Sequence, residues 1–412
     1  MYTRWYASIM SEKIERPFVH ILFGARQAGK STLIKSLLPP DALVIDFADP
    51  GERMRHLANP DEFKSICLAI PPSNKSKTVF VDEVQFVPLV FDAVQHLYDN
   101  DRHRWKFILC GSSARKLRKA GTNLLPGRSF LHHLFPLVLS EQPASSPSEK
   151  IFPLSLDWPE KRKQKPFHEW TIENRLAYGS LPGVVTADEC DRPNILESYS
   201  AIHLEEEIRR ESLVKDWGSF LRFLRLAAVE SGNILNYTAI SNVTGISVPT
   251  VKSHYQLLED MFIGFFVNAF SKSQRKNLLS TPKFLLFDTG VRNSAAGLIP
   301  SPQTVIANPG PIFEQWVGIE LWKRLGYTGK GRLFHMRTKD GFEIDFIIEL
   351  ADGSLIPVEV KWTETPTASD AKHLIRFIDE NKKSCQKGFV VCRCRRPMQI
   401  ADKVTAISWK DL

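Results

Sequence analysis

Over the first 140 residues, short apolar runs at Phe18–Phe23, Leu43–Phe47, Thr78–Val81 and Lys106–Cys110 alternate with amphipathic stretches. Runs of this length read as buried strands, and strands alternating with helices predict a parallel sheet covered on its faces. The pattern stops near Ser140. Gln142-Pro143-Ala144-Ser145-Ser146-Pro147-Ser148 and then Lys161-Arg162-Lys163-Gln164-Lys165 read as a linker or exposed loop. From Trp170 to about Phe266 the apolar spacing is helical, with Phe220, Phe223, Leu224, Ala227 and Ala228 on one face and Ser231-Gly232 as a stop. Beyond Pro300, a helix at Phe313–Leu325 ended by Gly326 precedes strands at Glu343–Glu349 and Leu355–Val360. A helix at Ala371–Asp379 and a strand at Gly388–Cys392 follow. The chain is expected to be α/β, with domains at 1–140, 170–300 and 301–412 and a linker at 141–169.

A length of 412 residues fits two or three domains of about 150 each. The 43% apolar and 24% charged content excludes disordered, collagenous and coiled-coil chains. No apolar run approaches the roughly 20 residues that span a bilayer; the longest, Met261–Phe270, still contains Asn268. The first residues lack an apolar signal-peptide centre, so a cytoplasmic protein without membrane partners is expected. The six cysteines have no zinc-ligand spacing and read as reduced thiols. A net charge of +8 favours a polyanionic partner without identifying one.

The chemistry begins at Gly24-Ala25-Arg26-Gln27-Ala28-Gly29-Lys30-Ser31, which fits G-x-x-x-x-G-K-[ST], with Thr32 next. It follows a strand and opens a helix expected at Lys30–Leu38. Such a loop turns backbone N–H groups toward phosphates, Lys30 reaches the β/γ-phosphates of ATP, and Ser31 ligates Mg²⁺. Thr78–Val81 delivers Asp82 and Glu83 to the same edge of the sheet: Asp82 for Mg²⁺ through water, Glu83 to orient or deprotonate the attacking water. After the next strand, Ser112 and Ser113 are either a γ-phosphate sensor or a helix cap. Arg128 is either an arginine finger, acting within the chain or on a neighbouring copy, or a surface residue.

Tyr237–Gly245 followed by Ile246–Lys252 resembles a helix-turn-helix, with Val251, Tyr255, Leu258 and Phe262 inward and Lys252, Ser253 and Gln256 outward. Strands at Phe262–Val267 and Lys283–Phe287 would bracket a basic wing, Lys272-Ser273-Gln274-Arg275-Lys276, suited to DNA phosphates. A pure packing module is the alternative. In the last part, Glu343 and Asp345 share one face of a strand, as do Glu359 and Lys361 on the next. If the strands pair, Asp345 and Glu359 can hold a divalent metal, Lys361 can position water, and Glu314 can complete the shell of a phosphodiester-cleaving site. Alternating polar positions on a solvent face are the alternative.

These words together resemble the bacterial and archaeal AAA-type P-loop ATPases whose C-terminal part is a domain of unknown function, number 4143. They comprise Gly24 to Thr32, Val81-Asp82-Glu83-Val84-Gln85, Gly111-Ser112-Ser113-Ala114, Gly127-Arg128, Gly179-Ser180-Leu181-Pro182-Gly183, Asp288-Thr289-Gly290, Phe313-Glu314, Glu343-Ile344-Asp345-Phe346 and Glu359-Val360-Lys361. The resemblance spans almost the whole chain and implies a PD-(D/E)XK nuclease-like C-terminal fold. It implies an ATP site at Lys30, Ser31, Asp82 and Glu83 with Ser113 and Arg128 as sensor and finger. It implies a nuclease-like site at Glu314, Asp345, Glu359 and Lys361. The chain departs from the family in its long basic stretch from Pro143 to Pro166 and in Trp362, whose indole would narrow access beside Lys361. The expected function is Mg²⁺-dependent ATP hydrolysis coupled to DNA binding or processing, with a homo-oligomer as one assembly. The rival is a nucleotide switch that binds protein partners and carries a degenerate nuclease-like site.

Overall fold

Five short runs dominated by apolar side chains build the N-terminal sheet: β1 (Val19–Phe23), β2 (Leu43–Asp46), β3 (Lys77–Asp82), β4 (Trp105–Gly111) and β5 (Ser129–His133). All neighbours are parallel, in the order β2-β3-β4-β1-β5. The computed structural model describes residues 4–112, 125–141, 170–204, 208–209, 216–271, 281–338 and 340–412. Within them the chain forms two units: Met1–Pro136 with Asp260–Phe262, and Leu137–Glu259 with Ile263–Leu412.

In the first unit, β1 is wholly buried, as expected of a strand covered on both faces. Helices α1 (Trp5–Ile14), α2 (Lys30–Lys35), α3 (Pro50–Ala58), α4 (Glu62–Ala69) and α5 (Val90–Asn100) accompany the sheet. Phe63, Cys67, Phe91, Val94 and Leu97 from α4 and α5 join Val79, Val81, Phe107 and Leu109 of the strands in one core. Helix α2 ends at Lys35, short of the expected Leu38, because Leu38-Pro39-Pro40 biases the chain away from helical backbone. In a parallel sheet the C-terminal ends of β1, β3 and β4 share one edge, which places Phe23, Asp82 and Gly111 together.

The second unit begins with α6 (Ile172–Tyr178), α7 (Pro182–Thr186), α8 (Arg192–Ser198), α9 (Trp217–Val229), α10 (Tyr237–Thr244) and α11 (Val248–Asp260). The hairpin β6 (Gly264–Ala269) and β7 (Lys283–Leu286) comes next. It is followed by α12 (Thr289–Ala295), α13 (Pro302–Ile306), α14 (Pro309–Thr328), β8 (Gly331–Arg337), β9 (Glu343–Leu350) and β10 (Leu355–Val360). The chain ends with α15 (Lys372–Glu380), β11 (Gly388–Cys392), β12 (Met398–Ala401) and β13 (Val404–Ser408). The mixed sheet runs β12-β13-β11-β10-β9-β8-β6-β7, so strand pairing crosses residue 300. Helix α14 is longer than the expected Phe313–Leu325: Pro309 starts it, and the left-handed Gly329, not Gly326, caps it. Among the described residues no helix is long and apolar enough to cross a membrane.

Candidate functional site

The loop between β1 and α2 is shaped by backbone constraints. Gly24 lies so close to β5 that a Cβ would meet the Leu134 carbonyl oxygen at 2.2 Å. Gly29 takes φ 92° to open α2, and Gln27 is also left-handed at φ 58°. Lys30 folds back into the loop it follows, its Nζ donating to the Gly24 and Ala25 carbonyls, each at 2.9 Å. Arg4, the residue before α1, braces the loop by donating to the Ala28 and Phe135 carbonyls, both at 2.7 Å. No sequence pattern marked Arg4, because its partners are backbone atoms distant along the chain.

Asp82 stands at the end of β3, with the Ser31 hydroxyl hydrogen-bonded to its carboxylate. Burial pushes the Asp82 carboxyl above the usual carboxylate range; the Ser31 bond opposes this, and the charges of Glu83 and Asp46 add to it. A hydroxyl bonded to a desolvated, charge-crowded carboxylate beside a phosphate-type loop is a donor set suited to Mg²⁺. Glu83 follows in left-handed backbone, φ 52° and ψ 41°. Its carboxylate accepts from Gln85 Nε2, which also donates to Ser112 Oγ at 3.1 Å. Ser113 lies outside the described residues. Ser112 does not: it is buried at the end of β4, between the ends of β1 and β3.

The structure does not bring Arg128 to this edge. It precedes β5, its carbonyl accepts from Val19 N at the start of β1, and its guanidinium pairs with Asp99 at 2.6 Å. Phosphates would sit beyond the other end of β1, a strand's length away, so Arg128 cannot reach a nucleotide held by its own chain.

In the second unit α10 and α11 are joined by a turn in which Gly245 has φ 74°. Val251, Tyr255 and Leu258 are buried on α11, whereas Lys252, Ser253 and Gln256 are exposed. Phe262, expected on the same inward face, lies beyond α11, is only partly buried and belongs to the first unit, packed against its core. Lys272, Arg275 and Lys276 lie outside the described residues.

The C-terminal acidic residues come together on paired strands. β9 and β10 are antiparallel, and Val360 N donates to Asp345 Oδ2 at 2.8 Å. Lys361 Nζ donates to Glu359 Oε1 at 2.8 Å, while the buried Glu359 Oε2 has no hydrogen-bond partner. Burial pushes Asp345 well above the carboxylate range, and the charges of Glu314 and Glu359 push it further. Glu359 is raised by burial against the opposing pull of Lys361. Sequence reasoning missed Lys283, an ammonium on β7 that is nearly inaccessible to solvent. It pairs with Glu314 at 2.8 Å and lies 4.0 Å from Glu343. Burial opposes its charge, but Glu314 and Asp345 together hold its pKa above the ordinary lysine value. A lysine inside the run Lys283–Phe287 carries no motif signal and is found only by pairing the strands. Trp362 packs edge-on against Phe313 at 5.2 Å, with Arg393 over its ring at 4.3 Å. Among the described residues no three His, Cys, Asp or Glu side chains form a metal-holding group. A metal at either site would therefore draw on other donors as well.

Three family models match consecutive parts of the chain: an AAA domain over residues 16–142, a domain of unknown function (DUF8612) over 169–301, and a domain of unknown function (DUF4143) over 309–412. Similar proteins include an uncharacterized protein of Mycobacterium tuberculosis and one of Mycobacterium bovis. Each is 22% identical over 365 residues, covering 88% of this chain and 74% of its own length. The loop geometry and the first match agree on a nucleotide-binding, ATPase-type module. The chain is thus similar to AAA domains over residues 16–142 and to the DUF4143 family over residues 309–412.

Proposed function

We propose that this protein hydrolyses ATP with Mg²⁺ and couples that turnover to DNA binding through the α10–α11 helix pair and the β6–β7 hairpin. The observation that carries the ATPase part is the placement of Lys30, the Ser31–Asp82 pair and Glu83 at one sheet edge. Residues 24–32 supply backbone N–H groups to the phosphates, and Lys30 exchanges its two carbonyl acceptors for phosphate oxygens. Ser31 and Asp82 would hold Mg²⁺, which when bound neutralises charge developing on the phosphates. Glu83 takes the proton of the attacking water. On this reading Arg128 serves the nucleotide of a neighbouring copy, in a homo-oligomer.

In the second unit, α11 presents Lys252, Ser253 and Gln256 on its exposed face as a winged-helix reading requires, with the basic residues 272–276 as phosphate contacts. Asp345 and Glu359 would hold a divalent cation: both are buried and charge-crowded, and Glu359 Oε2 has no hydrogen-bond donor. Lys361 would orient a water against a phosphodiester there, giving a nuclease-like site.

The test is ATP hydrolysis with Mg²⁺, with and without duplex and single-stranded DNA, beside Glu83→Gln. DNA-stimulated turnover that falls at least a hundredfold in Glu83→Gln is expected. Turnover indifferent to DNA would refute the coupling and move the search to protein partners.

A further inference from the structure

Glu83 and Ser112 end neighbouring strands, and one side chain joins them. Gln85 lies in the single helical turn Val84–Phe86 after β3 and is 5% exposed. Its amide nitrogen donates to both Glu83 Oε2 and Ser112 Oγ. A carboxylate only accepts, so the nitrogen must face Glu83. The amide oxygen is thereby turned into buried space, where it has no hydrogen-bond donor. It lies over Gly111 at the end of β4, where an added Cβ would sit 2.8 Å from it. A buried acceptor without a donor and a left-handed glutamate are both unfavourable, and both occur at the sheet edge beside the phosphate loop. Strained backbone clusters at active sites and switch regions, and an unmet buried acceptor calls for an explanation.

We propose that Gln85 is the positioning residue of the nucleotide site, fixing the direction of the Glu83 carboxylate and tying it to the hydroxyl of Ser112. The role rests on Glu83 acting as the base for the attacking water. A glutamate on strained backbone at a strand end has several rotamers open to it, and one productive direction. The bridge through Gln85 selects that direction before nucleotide arrives. Ser112 stands between the phosphate loop and Asp82, so any shift of its hydroxyl toward bound phosphate passes through the same amide to Glu83.

The experiment uses the full chain and compares wild type, Gln85→Met, Ser112→Ala and the double variant. Methionine keeps the volume and removes the amide. Steady-state turnover with Mg²⁺ and ATP is measured beside the affinity for a fluorescent ATP analogue and the melting temperature. Gln85→Met is expected to lower kcat at least tenfold while nucleotide affinity stays within twofold and the melting temperature holds. The double variant is expected to be no worse than Gln85→Met, because both substitutions cut one bridge. Wild-type kcat in Gln85→Met, or a loss of affinity and melting temperature in parallel with kcat, would overturn the role, as would multiplied losses in the double variant. Wild-type turnover no faster than that of Glu83→Gln would sink the reading of Glu83, and the bridge with it. Glu83-dependent turnover indifferent to Gln85 would sink the bridge alone.

Discussion

At the scale of single residues, a chain of polar groups buried in the first unit makes its stability depend on acid. Tyr6 Oη meets His132 Nδ1 at 2.9 Å, His132 Nε2 meets His20 Nδ1 at 3.0 Å, and His20 Nε2 meets the Arg16 carbonyl at 3.3 Å. One arrangement satisfies every link: Tyr6 donates to His132, His132 to His20, and His20 to the carbonyl, with both imidazoles neutral. Burial lowers His20 to about 4 and His132 to about 3, and for His132 the neighbouring His20 adds to the shift. Unfolded histidines titrate near 6.5, so the unfolded chain takes up protons first as the pH falls. The stabilisation is therefore complete above about pH 6.5 and drains away between there and pH 4 to 3, by on the order of 3 kcal/mol for His20 alone. Urea melts at pH 7 and pH 4.5 should show this loss, and His20→Asn should flatten the difference; an equal pH slope in the variant would refute it. In the sequence these histidines are simply two among eleven. Their pairing depends on β1 and β5 lying side by side with His20 and His132 two positions out of register and so on one face, which no local pattern encodes.

At the scale of elements, the apolar runs of β1, β3, β4, β9 and β10 were legible because each is a short hydrophobic block bounded by turn residues. β5 was not legible: its five residues include Ser129, His132 and His133, and Leu131 is exposed at the sheet edge. β8 begins Gly331-Arg332 and ends Met336-Arg337, so its apolar content is too thin to stand out. The glycine-rich loop was legible through its spacing, whereas Gln85 closed a quoted motif without a role, because its bridge to Ser112 shows only once β3 and β4 are paired. A different junction turns on Asp288, whose carboxylate caps α12 through Val291 N at 3.1 Å. The same carboxylate holds the end of α6 through Ser180 N at 2.6 Å and Ser180 Oγ at 3.0 Å. Lys323 of α14 joins by donating to Ser180 Oγ at 2.8 Å. Gly179 has φ 71°, and a Cβ there would fall 2.0 Å from Asp288 Oδ1. Asp288→Ala loses a cap and leaves buried donors unpaired, which costs about 2 to 3 kcal/mol. Gly179→Ala adds backbone strain to a steric clash and should cost more. Denaturant unfolding of the two variants checks the order; Gly179→Ala as stable as wild type would refute the close approach.

At the scale of the whole molecule, the strongest constraint on the second unit is that its acidic cluster and its sheet are built from both sides of residue 300. β6 pairs parallel with β8 through Asn268↔Phe334, and Phe265 stacks on Trp322 of α14 with ring centroids 4.1 Å apart. Lys283 delivers the ammonium that Glu314 and Asp345 face. The sequence places Asp345, Glu359 and Lys361 on adjacent strands, but the β6–β8 pairing joins segments separated by a hairpin and three helices, beyond the reach of local periodicity. A fragment of residues 301–412 would contain every carboxylate of the cluster yet lose the strand beside β8, the partner of Trp322 and the counter-charge of Glu314. An unpaired strand edge invites association, and removing one partner of a buried ion pair costs about 3 to 5 kcal/mol. That fragment should therefore aggregate or unfold without a cooperative transition, whereas residues 137–412, which retain β6 and β7, should unfold cooperatively in urea. In the full chain, Lys283→Met should lower the urea midpoint by an amount that a second change, Glu314→Gln, partly restores, because it removes the charge left unpaired. A cooperative transition in 301–412 at the midpoint of 137–412 would show that the C-terminal strands stand alone and that Lys283 is only a neighbour of the cluster.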